Sequence, residues 1–239
     1  MAQHISRREL KKDEVRDTLA HGAEAVLSHQ TSTIVLVAVA IVAAACVYGW
    51  RMYTQTHAEH AQSSFNSAME IFQAPVGPPQ APGQLTYPSE DKKFVDAEQA
   101  FSKVSRHYGG TRAGQLAAYY AGLCNEKLGN NAMAEKWFNG LVDSKDADAS
   151  SMAKFELAGL DARNGKTDQA IQLYKQLLQQ TSVLVPKPEV MLALANCYST
   201  KDPSQAAKLY GQIKADYPDT PIADQADEAL ALLPTAPKS

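Results

Sequence analysis

At 239 residues, 45% hydrophobic and 21% charged, the chain has room for one sizeable folded domain with flanking segments. Its 23 basic and 26 acidic residues leave a formal net charge of −3, with no basic cluster outside the leader, which excludes a charge-driven nucleic-acid partner. Three cysteines, two of them 73 residues apart, make no disulfide framework.

Residues 5–30, ISRRELKKDEVRDTLAHGAEAVLSHQ, predict an amphipathic helix. Ser6 and Glu9 form a capping box, and Leu10, Val15, Leu19, Ala23 and Val26 fall near one face. Interleaved acids offset its cations, so a solvated juxtamembrane helix is expected, with docking or anionic-lipid contact as the alternative.

Thr33 to Trp50, TIVLVAVAIVAAACVYGW, carries no charge over 18 residues. At about 1.5 Å per residue it reaches roughly 27 Å, close to the ~30 Å of a bilayer core. It has no polar face for water, and Tyr48, Trp50, Arg51 and Tyr53 gather at its downstream end, where amphipathic rings and a snorkelling cation prefer the headgroup level. A membrane-spanning helix is expected over 33–50. Arg7, Arg8, Lys11, Lys12 and Arg16 precede it, whereas only Arg51 follows within 51–70. The positive-inside rule then puts 1–32 in the cytoplasm and the rest across the membrane. A cleaved signal peptide would have a shorter apolar region and leader. A lipoprotein box at Cys46 is the other alternative, but Ala43 stands where such boxes prefer Leu.

Helix is expected to continue over 51–73, where Ala58, Ala61, Phe65, Ala68, Met69 and Phe72 keep one face. Residues 74–90 form a loop: 74–88, APVGPPQAPGQLTYP, holds five prolines and two glycines, so no regular structure is expected there. From 91 to 233 a small residue is followed four positions later by an aromatic: Ala97/Phe101, Ala134/Phe138, Ala170/Tyr174 and Ala206/Tyr210. Their spacings of 37, 36 and 36 residues mark stacked helical pairs. Gly129 and Gly165 supply the turns inside two of them. The expected pairs are 113–128 with 131–143, 149–164 with 168–180, and 187–199 with 203–216. An earlier pair joins 54–73 to 92–108 around the loop. Thr220-Pro221 starts a capping helix over 221–233, and 234–239 forms a disordered tail.

This pattern resembles the tetratricopeptide repeats. Gly122 and Ala158 match their small residue about twelve before the key alanine, and Pro218 matches the proline about twelve after it. Asn125 and Asp161 stand where a large apolar residue is usual, and Leu194 replaces a small one. The resemblance implies an all-α solenoid of helical hairpins whose first helices line a concave groove. In that register the groove positions are Leu116, Tyr119, Leu123, Glu126 and Lys127, then Met152, Phe155 and Arg163, then Met191 and Tyr198. For Tyr119 and Phe155 packing between helices competes with a groove role.

No catalytic constellation accompanies the repeats. His4, His21, His29, His57, His60 and His107 include no pair with metal spacing and a third ligand, and there is no GxSxG, phosphate-cradling glycine loop or CxxCH. Cys124 and Cys197 read as small buried hydrophobes. A non-enzyme is expected, without cofactor, metal or small-molecule substrate, whose partners are proteins.

The ISRRELKKDE leader and the GWRMY exit of the span, followed by helix, loop and repeats, resemble the bacterial inner-membrane ancillary subunits of the Sec translocon (YfgM-like proteins). That resemblance implies a single-pass inner-membrane protein with a periplasmic repeat domain. Its implied partners are translocon subunits and periplasmic chaperones or nascent exported chains. The alternative is a scaffold for envelope assembly, serving outer-membrane, cell-wall or cytochrome-maturation machinery.

Overall fold

The computed structural model describes residues 30–180 and 182–233. The helix expected over 5–30, apart from Gln30, and the tail expected over 234–239 lie outside the described residues. Among those residues there are nine helices and no strand: α1 (Gln30–Gln73), α2 (Glu90–Tyr108), α3 (Arg112–Lys127), α4 (Asn131–Asn139), α5 (Ala147–Arg163), α6 (Thr167–Leu178), α7 (Lys187–Lys201), α8 (Pro203–Asp216) and α9 (Pro221–Ala231). The fold is all-α.

Two compact units divide the chain, Met1–Thr56 and His57–Ser239. α1, which begins in the first, is one helix long and apolar enough to cross a membrane, and none of its most apolar window is buried. Ile34, Leu36, Ile41 and Trp50 are all more than half exposed. A soluble core helix would bury such residues.

The second unit stacks helical pairs. Each is set by its turns. α3 and α5 end alike, with Gly129 (φ 74°) and Gly165 (φ 78°) in the left-handed region that glycine tolerates. There the Asn130 N–H donates to the Asn125 carbonyl at 2.8 Å, and the Lys166 N–H donates to the Asp161 carbonyl at 2.8 Å. This closure satisfies carbonyls that a helix end leaves open, and it turns the chain into the antiparallel partner. At the starts, the side chains of Ser89, Thr111, Asp146, Asp202 and Thr220 accept from backbone N–H groups of the first turn.

All four small–aromatic pairs are buried, with Ala97, Ala134, Ala170 and Ala206 shut from solvent and Phe101, Phe138, Tyr174 and Tyr210 nearly so. Gly122 lies against one of these aromatics, since a Cβ there would sit 2.5 Å from the Phe138 ring. The sites that depart from the repeat pattern pack as well. Asn125 is buried and donates to the Ala121 carbonyl at 2.9 Å, while buried Asp161 lies 3.4 Å from Lys166 Nζ. Their polar atoms are matched, so they fit a core that an unpaired amide or carboxylate would weaken.

Three local expectations change. Ala58 is exposed, whereas Ala61, Phe65 and Ala68 are buried against α2 and α3. α4 ends at Asn139 instead of 143, because the chain leaves the helix at Gly140 and turns Leu141 into the core. The proline-rich loop is not wholly irregular: Val76 and Tyr87 form a parallel bridge, with the Gly77 N–H donating to the Tyr87 carbonyl at 2.9 Å.

Candidate functional site

The first helices of successive pairs, α3, α5 and α7, carry the groove positions. Between α3 and α5 their side chains reach across in three rungs. Arg112 Nη2 lies 2.9 Å from Asp148 Oδ2, the Tyr119 hydroxyl donates to Glu156 Oε1 at 3.0 Å, and Arg163 Nη2 donates to Glu126 Oε1 at 2.6 Å. The partners are 36, 37 and 37 residues apart, so each rung joins neighbouring repeats. Burial lifts the Tyr119 hydroxyl far above its usual range, keeping it a donor. Burial also raises the Glu156 carboxyl, while the Tyr119 hydrogen bond pulls it down.

Between α5 and α7 none of these rungs recurs among the described residues. One repeat beyond Glu156 stand Leu192 and Ala193, and one repeat beyond Arg163 stand Ser199 and Thr200. The surface is hollowed there instead. A cavity of about 430 Å³ is lined by Phe155 of α5, Pro188, Leu192 and Asn196 of α7, and Pro221 and Ile222 of α9. A second, of about 360 Å³, is lined by Arg163, Thr167, Tyr174 and Thr200. Ala193 and Asn196 line both, so the two form one trough. Such volumes suit side chains of a partner segment.

The expected groove residues therefore separate. Phe155 and Arg163 line the trough, Phe155 half-buried with its ring edge-to-face on Tyr174, the centroids 5.7 Å apart. Tyr119 and Glu126 are committed to rungs, and Tyr119 is buried. Leu116 packs on the α1–α3 core, while Leu123 and Met152 pack half-buried on the α3–α5 core. Lys127 is exposed. Tyr198 is half-buried, with Lys175 Nζ 5.6 Å from its ring centroid.

Met191 faces away from any groove. It is 2% exposed, packed with Tyr210, Ile213 and Ala226 because the capping helix α9 covers that side of α7. Glu156, Leu192, Ala193, Asn196 and Ile222 are the site residues that the repeat register missed. Only the 37-residue spacing of Tyr119 and Glu156 was a signal, and it was readable only as a complementary pair.

Chemistry beyond binding has little to work with. Among the described residues no cluster of His, Cys, Asp and Glu is placed to hold a metal. Burial pushes the Cys124 thiol up to about 12 and raises that of Cys197, which holds both as unreactive thiols.

The comparisons agree with this architecture. A tetratricopeptide repeat-like domain model matches residues 28–183, and a tetratricopeptide repeat model matches 189–220. No curated protein matches the chain. Among solved structures it is similar to the nearly identical TPR-like repeats of a kinesin light chain candidate from Podosopora anserina. A point-substituted form of those repeats is 14% identical at a TM-score of 0.54, covering 73% of this chain and 85% of that one. A second form is 14% identical at 0.52, with 72% and 84% covered. At this identity the likeness speaks for the fold. With more than half its length matched by the family model, the chain belongs to the tetratricopeptide repeat-like domain family, whose repeats mediate protein–protein interaction.

Proposed function

We propose that this chain is a single-pass inner-membrane adaptor whose repeat domain, on the periplasmic side, binds a protein segment in the α5–α7 trough. We assign it as an ancillary subunit of the Sec translocon that links export to periplasmic chaperones. The observation that carries the binding site is the trough itself, an open hollow beside Phe155 where the neighbouring junction is closed by rungs. The membrane assignment is supported by the exposed apolar face of 34–50 and by the cations at Arg7, Arg8, Lys11, Lys12 and Arg16, against Arg51 alone. The translocon assignment is supported by the ISRRELKKDE leader and the GWRMY exit. In this reading 1–32 is cytoplasmic, 33–50 spans the bilayer and 51–239 lies outside, with the folded repeats over 91–233.

One experiment tests topology and partner together. A photocrosslinking residue at Leu192, in cells whose protein also carries a periplasm-only reporter after Ser239, should give an active reporter. It should also give crosslinks to translocon subunits, chaperones or nascent exported chains. An inactive reporter sinks the topology. Crosslinks confined to outer-membrane, cell-wall or cytochrome-maturation proteins would replace the translocon role by envelope scaffolding.

A further inference from the structure

Among the described residues of 57–233, Val183 and Leu184 are the one adjacent pair of large apolar side chains left in solvent. Val183 is 89% exposed, more than any large apolar residue of 34–50. Both sides of this tip are anchored. The Ser182 hydroxyl donates to Asp148 Oδ1 at 3.3 Å, and the Leu184 N–H donates to Ser182 Oγ at 3.2 Å. Val185, on the other side, packs on the α6–α7 core. An aliphatic pair held out in water from both sides costs free energy that a contact would recover.

The place of the tip in the fold says what that contact is. Paired helices alternate in direction, so each loop between repeats falls at the same end of the stack. Side-chain contacts trace that end. The His57 ring lies edge-on to Tyr108 at the close of α2, with centroids 4.9 Å apart. Arg112, opening α3, reaches Asp146 and Asp148 at the start of α5, and Asp148 holds Ser182. The tip therefore sits at the end of the repeats where α1 enters them. α1 runs unbroken from Trp50 to His57, a rise of about 10 Å along its axis. The charge fits a bilayer surface as well. Residues 176–188 hold no acid, and Lys187 is exposed four residues beyond Val183. An aliphatic tip with a cation beside it matches the acyl boundary and the lipid phosphates above it.

We infer that the α6–α7 loop is a second membrane contact, with Val183 and Leu184 dipping into the interfacial zone of the bilayer that α1 crosses. This contact goes beyond the trough and rests on the membrane-spanning reading of 33–50. A single helical anchor leaves rotation about its own axis open; a second contact removes that freedom and fixes which way the repeats face. Because α1 already confines the domain to the surface, two aliphatic side chains suffice where they would not recruit a free protein.

The test uses the full-length protein in native membranes. A photoreactive diazirine residue is placed singly at Val183, at Leu36 in the span, or at exposed Asn130 in the α3–α4 turn, at the opposite end of the repeats. Lipid and protein adducts are then separated by mass spectrometry. Position 36 should give lipid adducts; without them the membrane-spanning reading falls and the loop contact with it. Position 183 should give lipid adducts roughly tenfold or more above position 130, the scale set by immersing two aliphatic side chains. Leu184→Asp puts a charge on the tip, outside the core, and should cut the lipid adducts at 183 by roughly tenfold. Lipid adducts at 36, with those at 183 no higher than at 130, overturn the inference and leave the span standing. Adducts at 183 confined to protein would make the loop a docking point for another chain, which also overturns it. A yield at 183 unmoved by Leu184→Asp, with thermal melting unchanged, marks chance collision of a tethered domain and overturns it too.

Discussion

The α3–α5 and α5–α7 junctions are built from one repeat yet present opposite surfaces. Both bury a small–aromatic pair beneath them, Ala134/Phe138 in one and Ala170/Tyr174 in the other. Above the first, three polar rungs close the face; above the second, leucine, alanine, serine and threonine occupy the corresponding positions and the face is hollow. The period fixes where first helices lie, while the identity of a few residues on them decides whether a junction is structural or open. Core packing and surface shape are thus written at different positions of the same repeat.

If the two junctions are equal in their cores, they should break equally. Phe138→Ala and Tyr174→Ala should each cost about 3–5 kcal/mol in chemical denaturation, the usual range for emptying a buried aromatic site. A loss under ~1 kcal/mol at either position would mean that its aromatic is not the core of its pair.

The rungs should matter at one junction alone. Tyr119→Phe removes the hydroxyl that donates to Glu156 and leaves a half-buried carboxyl oxygen without it, at a cost of about 1–3 kcal/mol. The same measurement on Ser199→Ala, one repeat beyond the Arg163 rung, should stay within roughly ±0.5 kcal/mol. Equal losses would erase the distinction between a closed and an open junction.

The smallest effect concerns pH. Burial, the largest influence, raises the Glu156 carboxyl above its ordinary value of 4.5, so the folded state holds that proton more tightly than the unfolded chain. Its contribution is fully present below about 4.5 and is lost as pH rises through the raised value in the folded state. Glu156→Gln keeps an acceptor for Tyr119 and should flatten this dependence, gaining stability relative to the wild type as pH rises above that point. An unchanged pH profile would show that solvent reaches the carboxyl.

Much of the fold is legible in the chain. A run without charge longer than any ordinary core helix needs, and an alanine–aromatic pair repeated every 36–37 residues, require only residue type and spacing to be read. The glycine turns are equally local, since Gly129 and Gly165 take backbone angles that few other residues tolerate. The site is less legible. Phe155 and Arg163 were reachable from the repeat register and do line the trough. Met191 occupies a position one repeat beyond Phe155, yet α9 packs over it and buries it. Asn196 looks like any polar residue on a helix until a tyrosine from α8 is found holding it.

By itself, then, the sequence determined an apolar segment fit to span a bilayer, an all-helical repeat domain and the residues that fill each pair, because these follow from periodicity and burial. Only the tertiary structure decided which junction is open, which groove positions the capping helix takes for the core, and which polar side chain of α7 the buried Tyr210 of α8 holds. Those outcomes depend on side chains 14 to 37 residues apart meeting across helices, and no local pattern in the chain encodes such a meeting.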